Sequence, residues 1–87
     1  MKVIIKYFGP WNSITDKNEQ MLDVPDEFSV GDAVLHLIEL YGRDFANSIN
    51  HNSVYIKNAK NEYIVANHTD ILFDAATILF LGPVEGG

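Results

Sequence analysis

The chain has 87 residues, with six Lys plus Arg against twelve Asp plus Glu, a net charge of −6 at pH 7 and no cysteine. This length allows one domain with one modest hydrophobic core. Without cysteine, the chain has no disulfide, thiolate zinc site or cysteine nucleophile. The acidic balance argues against nucleic-acid binding, which needs clustered Lys and Arg. No apolar run approaches the roughly 20 residues that cross a bilayer, and Lys6 interrupts any signal peptide, so we expect a cytoplasmic protein without membrane contact.

The first residues of the chain predict two strands. Lys2 to Phe8 are rich in β-branched and aromatic types, and both faces of this strand carry large apolar side chains, which favours a central strand covered on both sides. Gly9-Pro10 ends it, and the polar residues 12–19 predict a loop. Gln20 to Val24 predict a short second strand that returns antiparallel to the first.

One convincing helix follows. Ser29 and Asp32 have the spacing of a capping box, in which each side chain accepts a hydrogen bond from the other's backbone. Apolar residues then recur at helical spacing as far as Tyr41, and Gly42 suits the left-handed conformation that ends a helix. These signals predict a helix over Val30 to Tyr41, with its apolar stripe against a sheet.

The second half of the chain is mostly extended. Ser53 to Lys57 and Glu62 to Val65 predict a hairpin, and Phe45 with Ile49 predict a further short helical turn before it. Thr77 to Leu81 predict the last strand, and its continuously apolar part, Ile78 to Leu81, predicts an interior position beside the first strand. The fold class is therefore α+β, with one main helix on a mixed sheet of four to five strands. We expect one domain over residues 1–81 and a flexible tail over residues 82–87.

Histidine and carboxylate side chains offer few candidates for chemistry. The chain lacks a phosphate-binding loop, a His-Glu-x-x-His motif and a nucleophile elbow, which argues against an enzyme that acts on its own. His36 and Glu39 share one helix face, where a solvated surface is favoured over a metal site. His51 and His68 lie in polar loops, where exposed imidazoles are favoured over a general base. We predict no metal site, although convergence of the three histidines would provide one.

Two further groups have a structural and a functional interpretation. Asp26-Glu27 and the pair Asp70 and Asp74 occur at predicted turns, where solvated turn residues are favoured over paired catalytic carboxylates. Trp11 either caps the end of the sheet, the favoured interpretation, or lies exposed as an interface anchor.

The C-terminus is the most informative segment. After the hydrophobic final strand the chain ends in Gly86-Gly87, and glycines without Cβ let a backbone pass through a narrow channel. A partner enzyme could thus reach the terminal carboxylate of Gly87, which would be the reactive group. The alternative is a frayed tail.

The segment from Ile78 to Gly87 resembles the terminal pattern of the MoaD/ThiS family of sulfur carriers: a hydrophobic strand, a proline with a small apolar residue, one variable position and Gly-Gly. Phe28 to Val34 looks like that family's helix entry, and Lys2 to Phe8 like its first strand. The chain departs from the family at residues 74–77, where a glycine-containing acidic turn is common, and over residues 43–52. The resemblance implies a ubiquitin-like β-grasp fold.

The resemblance also implies a reaction cycle. An E1-like adenylating enzyme, MoeB/ThiF-like, would use ATP to adenylate the carboxylate of Gly87, and a sulfur donor protein would convert it to a thiocarboxylate. No cofactor would be bound permanently, since the ATP site belongs to the activating partner. Gly86 would provide clearance, and Pro83, Val84 and Glu85 would thread into the partner.

The branch of the family decides the acceptor of the sulfur. In the MoaD branch the tail enters a MoaE-like large subunit of molybdopterin synthase, and the Pro83-Val84 pair with Phe80-Leu81 favours this branch. The domain would dock through an apolar patch on the sheet, with Tyr7 or Phe80 as candidates. The alternatives are a ThiS-like carrier for thiamine thiazole synthesis, an archaeal ubiquitin-like modifier joined to lysine, and a ubiquitin-like interaction module that never reacts.

Overall fold

The computed structural model describes residues 1–49 and 53–82, which form five strands and three helices. In chain order they are β1 (Lys2–Tyr7), α1 (Pro10–Thr15), β2 (Glu19–Asp23), α2 (Val30–Tyr41), α3 (Arg43–Ser48), β3 (Val54–Lys57), β4 (Tyr63–Val65) and β5 (Thr77–Phe80). Within these ranges no helix has the length and apolar character needed to cross a membrane.

The five strands form one mixed sheet in the order β2-β1-β5-β3-β4. Strands β1 and β5 run parallel, and the other neighbours are antiparallel. This confirms the predicted mixed sheet, the antiparallel return of β2, and the interior position of β5 beside β1. The last strand is thus held on both sides, and it carries the chain toward its C-terminus.

Helix α2 has the predicted bounds because its ends are encoded locally. The hydroxyl of Ser29 accepts a hydrogen bond from the Asp32 N–H at 3.0 Å, and the Asp32 carboxylate accepts one from the Ser29 N–H at 3.0 Å. At the other end Gly42 has a φ of 82° and donates its N–H to the carbonyl of Ile38 at 2.7 Å. Glycine adopts this backbone conformation without the steric cost that a Cβ adds.

The hydrophobic core lies between the helices and one face of the sheet. That face presents Val3, Ile5, Tyr7, Ile78 and Phe80, all of which are buried. The buried residues that α2 contributes are Val30, Ala33, Val34 and Leu37. The prediction that β1 is covered on both sides is wrong, because Ile4 and Lys6 on its other face are only partly buried. Alternate side chains of a strand point to opposite faces, and only one face of this sheet packs against the core.

A short helix, α1, replaces the first half of the loop predicted for residues 12–19. Pro10 occupies the first turn of α1, where its missing N–H costs no hydrogen bond. The next residue, Trp11, is fully buried, and its ring centroid lies 4.9 Å from that of Phe45 and 5.1 Å from that of Phe80. The alternative of Trp11 as an exposed interface anchor is therefore wrong. Phe45 belongs to α3, which confirms the predicted short helical turn.

Candidate functional site

The predicted reactive segment, Pro83–Gly87, follows directly on Leu81 and Gly82, the last residues that the structure describes. Residues 83–87 lie outside the described residues. The roles predicted for them therefore stay predictions: the reacting carboxylate for Gly87, clearance for Gly86, and threading into the partner for the three residues before Gly86. The structure describes the base from which this segment starts. We call Leu81 and Gly82 the tail base.

Strand β5 delivers the chain to the tail base, and the sheet holds it on both sides. The N–H of Phe8, just after β1, donates to the carbonyl of Phe80 at 2.8 Å. On the opposite side, the N–H of Leu81 donates to the carbonyl of Ser53 at 2.9 Å. A strand paired on both sides can shift only by breaking bonds in both ladders. The sheet therefore fixes the position of Leu81.

Gly82 lies directly against the ring of Pro10. A Cβ placed on Gly82 would stand 2.3 Å from Pro10 Cδ and 2.9 Å from Pro10 Cγ, well inside the separation of about 3.5 to 4 Å at which carbon atoms pack. The proline ring is stiff, and the fully buried Trp11 beside it anchors α1 in the core. Close approach, and not an unusual φ, is therefore what requires glycine at position 82.

A row of mostly apolar side chains crosses the open face of the sheet. The strand registers place Leu79 beside Lys6 on one side and beside Tyr55 on the other, and Tyr55 beside Val65. Leu79 and Tyr55 are partly buried, and Val65 is 46% exposed on the edge strand. We call Leu79, Tyr55 and Val65 the open-face row.

The open-face row continues toward the tail base through two exposed residues. Tyr7 and Phe80, the last residues of β1 and β5, point into the core, so Phe8 and Leu81, which follow them, project to the opposite face. Phe8 is 50% exposed and Leu81 is 40% exposed. Together with the row they give this end of the sheet an apolar surface beside the start of the C-terminal segment.

The prediction that Tyr7 or Phe80 docks a partner is wrong. Tyr7 is 2% exposed and Phe80 is fully buried, and their ring centroids lie 5.7 Å apart inside the core. The period of the strands correctly grouped Tyr7 with Val3 and Ile5, but it does not say which face the helices cover. The side chains available for docking are those of the opposite face.

Tyr7 instead belongs to a partly buried polar cluster. Its hydroxyl donates to Gln20 Oε1 at 2.8 Å, and the hydroxyl of Tyr41 donates to the same oxygen at 2.5 Å. Burial, with a smaller contribution from Tyr41, raises the pKa of Tyr7 far above the usual value for a tyrosine. The phenol thus stays protonated and acts as a hydrogen-bond donor within the fold.

The histidines that the structure describes do not converge. His36 and Glu39 are exposed on α2, as the solvated-face interpretation predicts, and His68 is exposed in a loop whose backbone carbonyl accepts the Gly31 N–H at 2.9 Å. His51 lies outside the described residues. Over residues 1–49 and 53–82, no cluster of three or more His, Asp or Glu could hold a metal ion.

The acidic pairs are turn residues. Asp70 accepts the Asn67 N–H at 2.9 Å, and Asp74 accepts the Lys2 N–H at 3.0 Å. Asp26 and Glu27 are exposed, and Glu27 has a φ of 64°. The turn interpretation is confirmed for Asp70 and Asp74, each of which binds a backbone amide.

Sequence reasoning missed two features of this site. The open-face row could have been found, because Leu79 alternates with the core residues Ile78 and Phe80 in β5. The contact between Gly82 and Pro10 joins residues far apart in sequence, and no local pattern marks it.

No protein-family model and no curated protein matches the chain. Solved structures do share its fold. A Pyrococcus furiosus protein described as molybdopterin converting factor, subunit 1, superposes with a TM-score of 0.77 at 16% identity, over 95% of this chain and 98% of that one. The small archaeal modifier protein SAMP1 from Haloferax volcanii superposes with a TM-score of 0.77 at 19% identity, over the full length of both chains.

A third similar structure was solved with its partner. It is the complex of subunits 1 and 2 of the molybdopterin-converting factor from Helicobacter pylori, with a TM-score of 0.62 at 21% identity over the full length of both chains. Identities this low establish the fold and nothing more. The fold of this chain is thus the ubiquitin-like β-grasp, as the resemblance implied.

Proposed function

We propose that this chain is a ubiquitin-like sulfur carrier, the substrate and not the catalyst of its own activation. The observation that carries the proposal is the combination of a β-grasp fold, a last strand at an interior position of the sheet, and a sequence that ends in Gly86-Gly87 a few residues after that strand. The solved structures of the same fold include a molybdopterin converting factor subunit and a small archaeal modifier protein. The catalytic groups would belong to partner proteins.

The chemistry takes place in two balanced steps. In the first, the carboxylate oxygen of Gly87 attacks the α-phosphorus of ATP on an E1-like adenylating enzyme, and pyrophosphate leaves. In the second, hydrosulfide (HS⁻) supplied by a sulfur donor attacks the carbonyl carbon of the acyl adenylate. A C–S bond forms, AMP leaves, and a proton is released. Adenylation is needed because a free carboxylate has no good leaving group.

For the acceptor, we favour molybdopterin synthesis over thiamine thiazole synthesis. The terminal Pro83-Val84-Glu85-Gly86-Gly87 resembles the MoaD branch of the carriers. The Helicobacter pylori protein of the same fold is part of a complex with a second converting-factor subunit. A corresponding MoaE-like large subunit would receive the tail of this chain and transfer its sulfur to a pterin precursor.

We place the docking surface for such partners on the open-face row, in place of Tyr7 and Phe80. Leu79, Tyr55 and Val65 lie on the sheet face away from the core, and their surface continues through the exposed Leu81 to the tail base. A partner seated there would bury apolar surface next to the segment that it must thread. Burial of such a patch is a common source of affinity in protein interfaces.

A second candidate is protein modification, favoured by the full-length superposition on the Haloferax volcanii modifier protein. The first step is the same, but a lysine amine of a target protein attacks the acyl adenylate or a derived thioester. An isopeptide bond to Gly87 forms in place of the thiocarboxylate. The two candidates therefore share the activation step and differ in the nucleophile.

Activation is tested by pyrophosphate exchange into ATP, with an E1-like enzyme from the same source as this chain. We expect exchange to depend on the chain, and to be lost when Gly87 is deleted or when residues are appended after it. Neither change touches the described core, so thermal unfolding should be unaltered. Exchange that persists with the extended chain would contradict the proposal, because it would place adenylation on another carboxylate. An absence of any exchange that depends on the chain would favour a ubiquitin-like interaction module.

A further inference from the structure

The point at which the C-terminal segment leaves the domain is defined by two residues far apart in the chain. Five residues follow Gly82. Fully extended, five residues span at most about 17 Å, so a partner site must lie within that distance of the tail base. A shift of the tail base therefore shifts, by the same amount, every position that the terminal carboxylate can reach.

We infer that Gly82 and Pro10 are positioning residues that set where, and in which direction, the tail leaves the domain. The inference rests on the proposed function, because the tail is taken to be the reacting segment. The inference assigns a role to the contact between the first turn of α1 and the residue that follows Leu81. The role assigned to both residues is to position the segment that follows Gly82, and not to take part in the reaction at Gly87.

The first support is that both sides of the contact are anchored. The Leu81 N–H donates to the Ser53 carbonyl at 2.9 Å, which holds the residue before Gly82. On the other side, the Trp11 N–H donates to the Phe8 carbonyl at 3.2 Å, and the fully buried indole holds α1 in the core. The ring of Pro10 is therefore held in place, and a larger residue at position 82 could not displace it easily.

The second support is that the fit allows no side chain. At position 82 a Cβ would lie 2.3 Å from Pro10 Cδ and 2.9 Å from Pro10 Cγ, while the next atom, Pro10 N, is 3.6 Å away. The clash is thus confined to two ring carbons that alanine lacks. Any residue other than glycine must push the tail base away from Pro10 or displace α1.

The third support is the residue that follows. Position 83 is proline, and a proline disfavours the helical conformation in the residue before it. Gly82 would otherwise be the most permissive residue at the tail base. Its contact with Pro10 and the proline after it both narrow the directions that the chain can take.

The contact provides a rescue test. Gly82→Ala should lower kcat/KM for adenylation by an E1-like enzyme roughly ten- to a hundred-fold, the range that a misplacement of about 1 Å produces. Adding Pro10→Ala removes the two clashing carbons and should restore most of that loss. The measurement is pyrophosphate exchange for the wild type, each single variant and the double variant.

A control separates positioning from stability. At Gly42 a Cβ would meet no atom within 4 Å, but its φ of 82° makes Gly42→Ala strained. This variant should be less stable than the wild type, because the backbone at Gly42, with φ 82° and ψ −154°, lies in a region that glycine alone adopts readily. We expect it to be adenylated as efficiently as the wild type at a temperature where all variants are folded. Wild-type kinetics for Gly82→Ala, or a double variant no better than Gly82→Ala, would overturn the inference.

A second measurement needs no partner. In the wild type, NMR should show a nuclear Overhauser effect between the Hδ protons of Pro10 and the Hα protons of Gly82, and Gly82→Ala should weaken the hydrogen-exchange protection of the Leu81 amide. An absent Pro10–Gly82 signal would overturn the inference whatever the kinetics. Wild-type protein that shows the signal but is never adenylated would instead contradict the proposed function.

Discussion

Replacing Tyr7 by phenylalanine should make the stability of the protein less sensitive to alkaline pH. Tyr7 is 2% exposed, and its hydroxyl donates to Gln20 Oε1 at 2.8 Å. Burial, followed by the neighbouring Tyr41, raises its pKa above the value of about 10 that tyrosine has in an unfolded chain. The folded state therefore keeps a proton that the unfolded state loses once the pH exceeds about 10.

The sign and size follow from proton linkage. The stability that depends on protonated Tyr7 is fully present below pH 10, and it is lost as the pH rises from there toward the higher pKa of the folded state. One proton retained by the folded state lowers the free energy of unfolding by about 1.4 kcal/mol per pH unit. Below pH 9, Tyr7→Phe loses one hydrogen bond, worth roughly 0.5–1.5 kcal/mol.

The assay is urea unfolding of the wild type and Tyr7→Phe between pH 8 and pH 11.5. The stability advantage of the wild type should shrink above pH 10, because only the wild type carries the buried phenol. It should change sign before pH 11.5, since 1.5 pH units at about 1.4 kcal/mol per unit remove about 2 kcal/mol, more than the hydrogen bond contributes. Tyr63→Phe, which removes a partly exposed hydroxyl on β4, is the matched control and should retain the wild-type slope. Equal slopes for the wild type and Tyr7→Phe would refute the reasoning. Unchanged adenylation of Tyr7→Phe would further agree with its place in the core.

Three further substitutions test the cap, the core and the docking surface. Ser29→Ala removes the hydroxyl that accepts the Asp32 N–H and should cost about 1 kcal/mol in chemical denaturation; no loss would show that the cap contributes nothing. Trp11→Ala should cost roughly 3–5 kcal/mol, since the ring is fully buried, and a smaller effect than 1 kcal/mol would contradict that burial. Val65→Asp should weaken the docking of an activating enzyme roughly tenfold, while Leu35→Asp, 63% exposed on α2, should not; equal effects would argue against the open-face row.

Local signals explain what the sequence could predict. Helix α2 has its predicted ends because Ser29, Asp32 and Gly42 act within one turn of those ends. Strand β5 is interior, as its continuous apolar run indicated. In both places the residue types along a short segment are enough to predict the local structure.

Long-range packing explains the rest. Gly9-Pro10 gave a correct end to β1, but the helix that starts there is stabilised by the burial of Trp11 against Phe45 and Phe80, which no local pattern shows. Both faces of β1 carry large apolar side chains, and the position of the helices determines which face is covered. Because the helices cover the face of Tyr7 and Phe80, the side chains available for docking lie on the opposite face.

The most direct test of the central claim is the intact mass of the protein after incubation with ATP, an E1-like adenylating enzyme and a sulfide source. The account predicts a mass increase equal to the replacement of one oxygen by sulfur, localised by fragmentation to the C-terminal carboxylate of Gly87. An unmodified mass from an enzyme mixture that thiocarboxylates its own carrier would contradict the sulfur-carrier proposal. A lysine isopeptide in its place would favour protein modification.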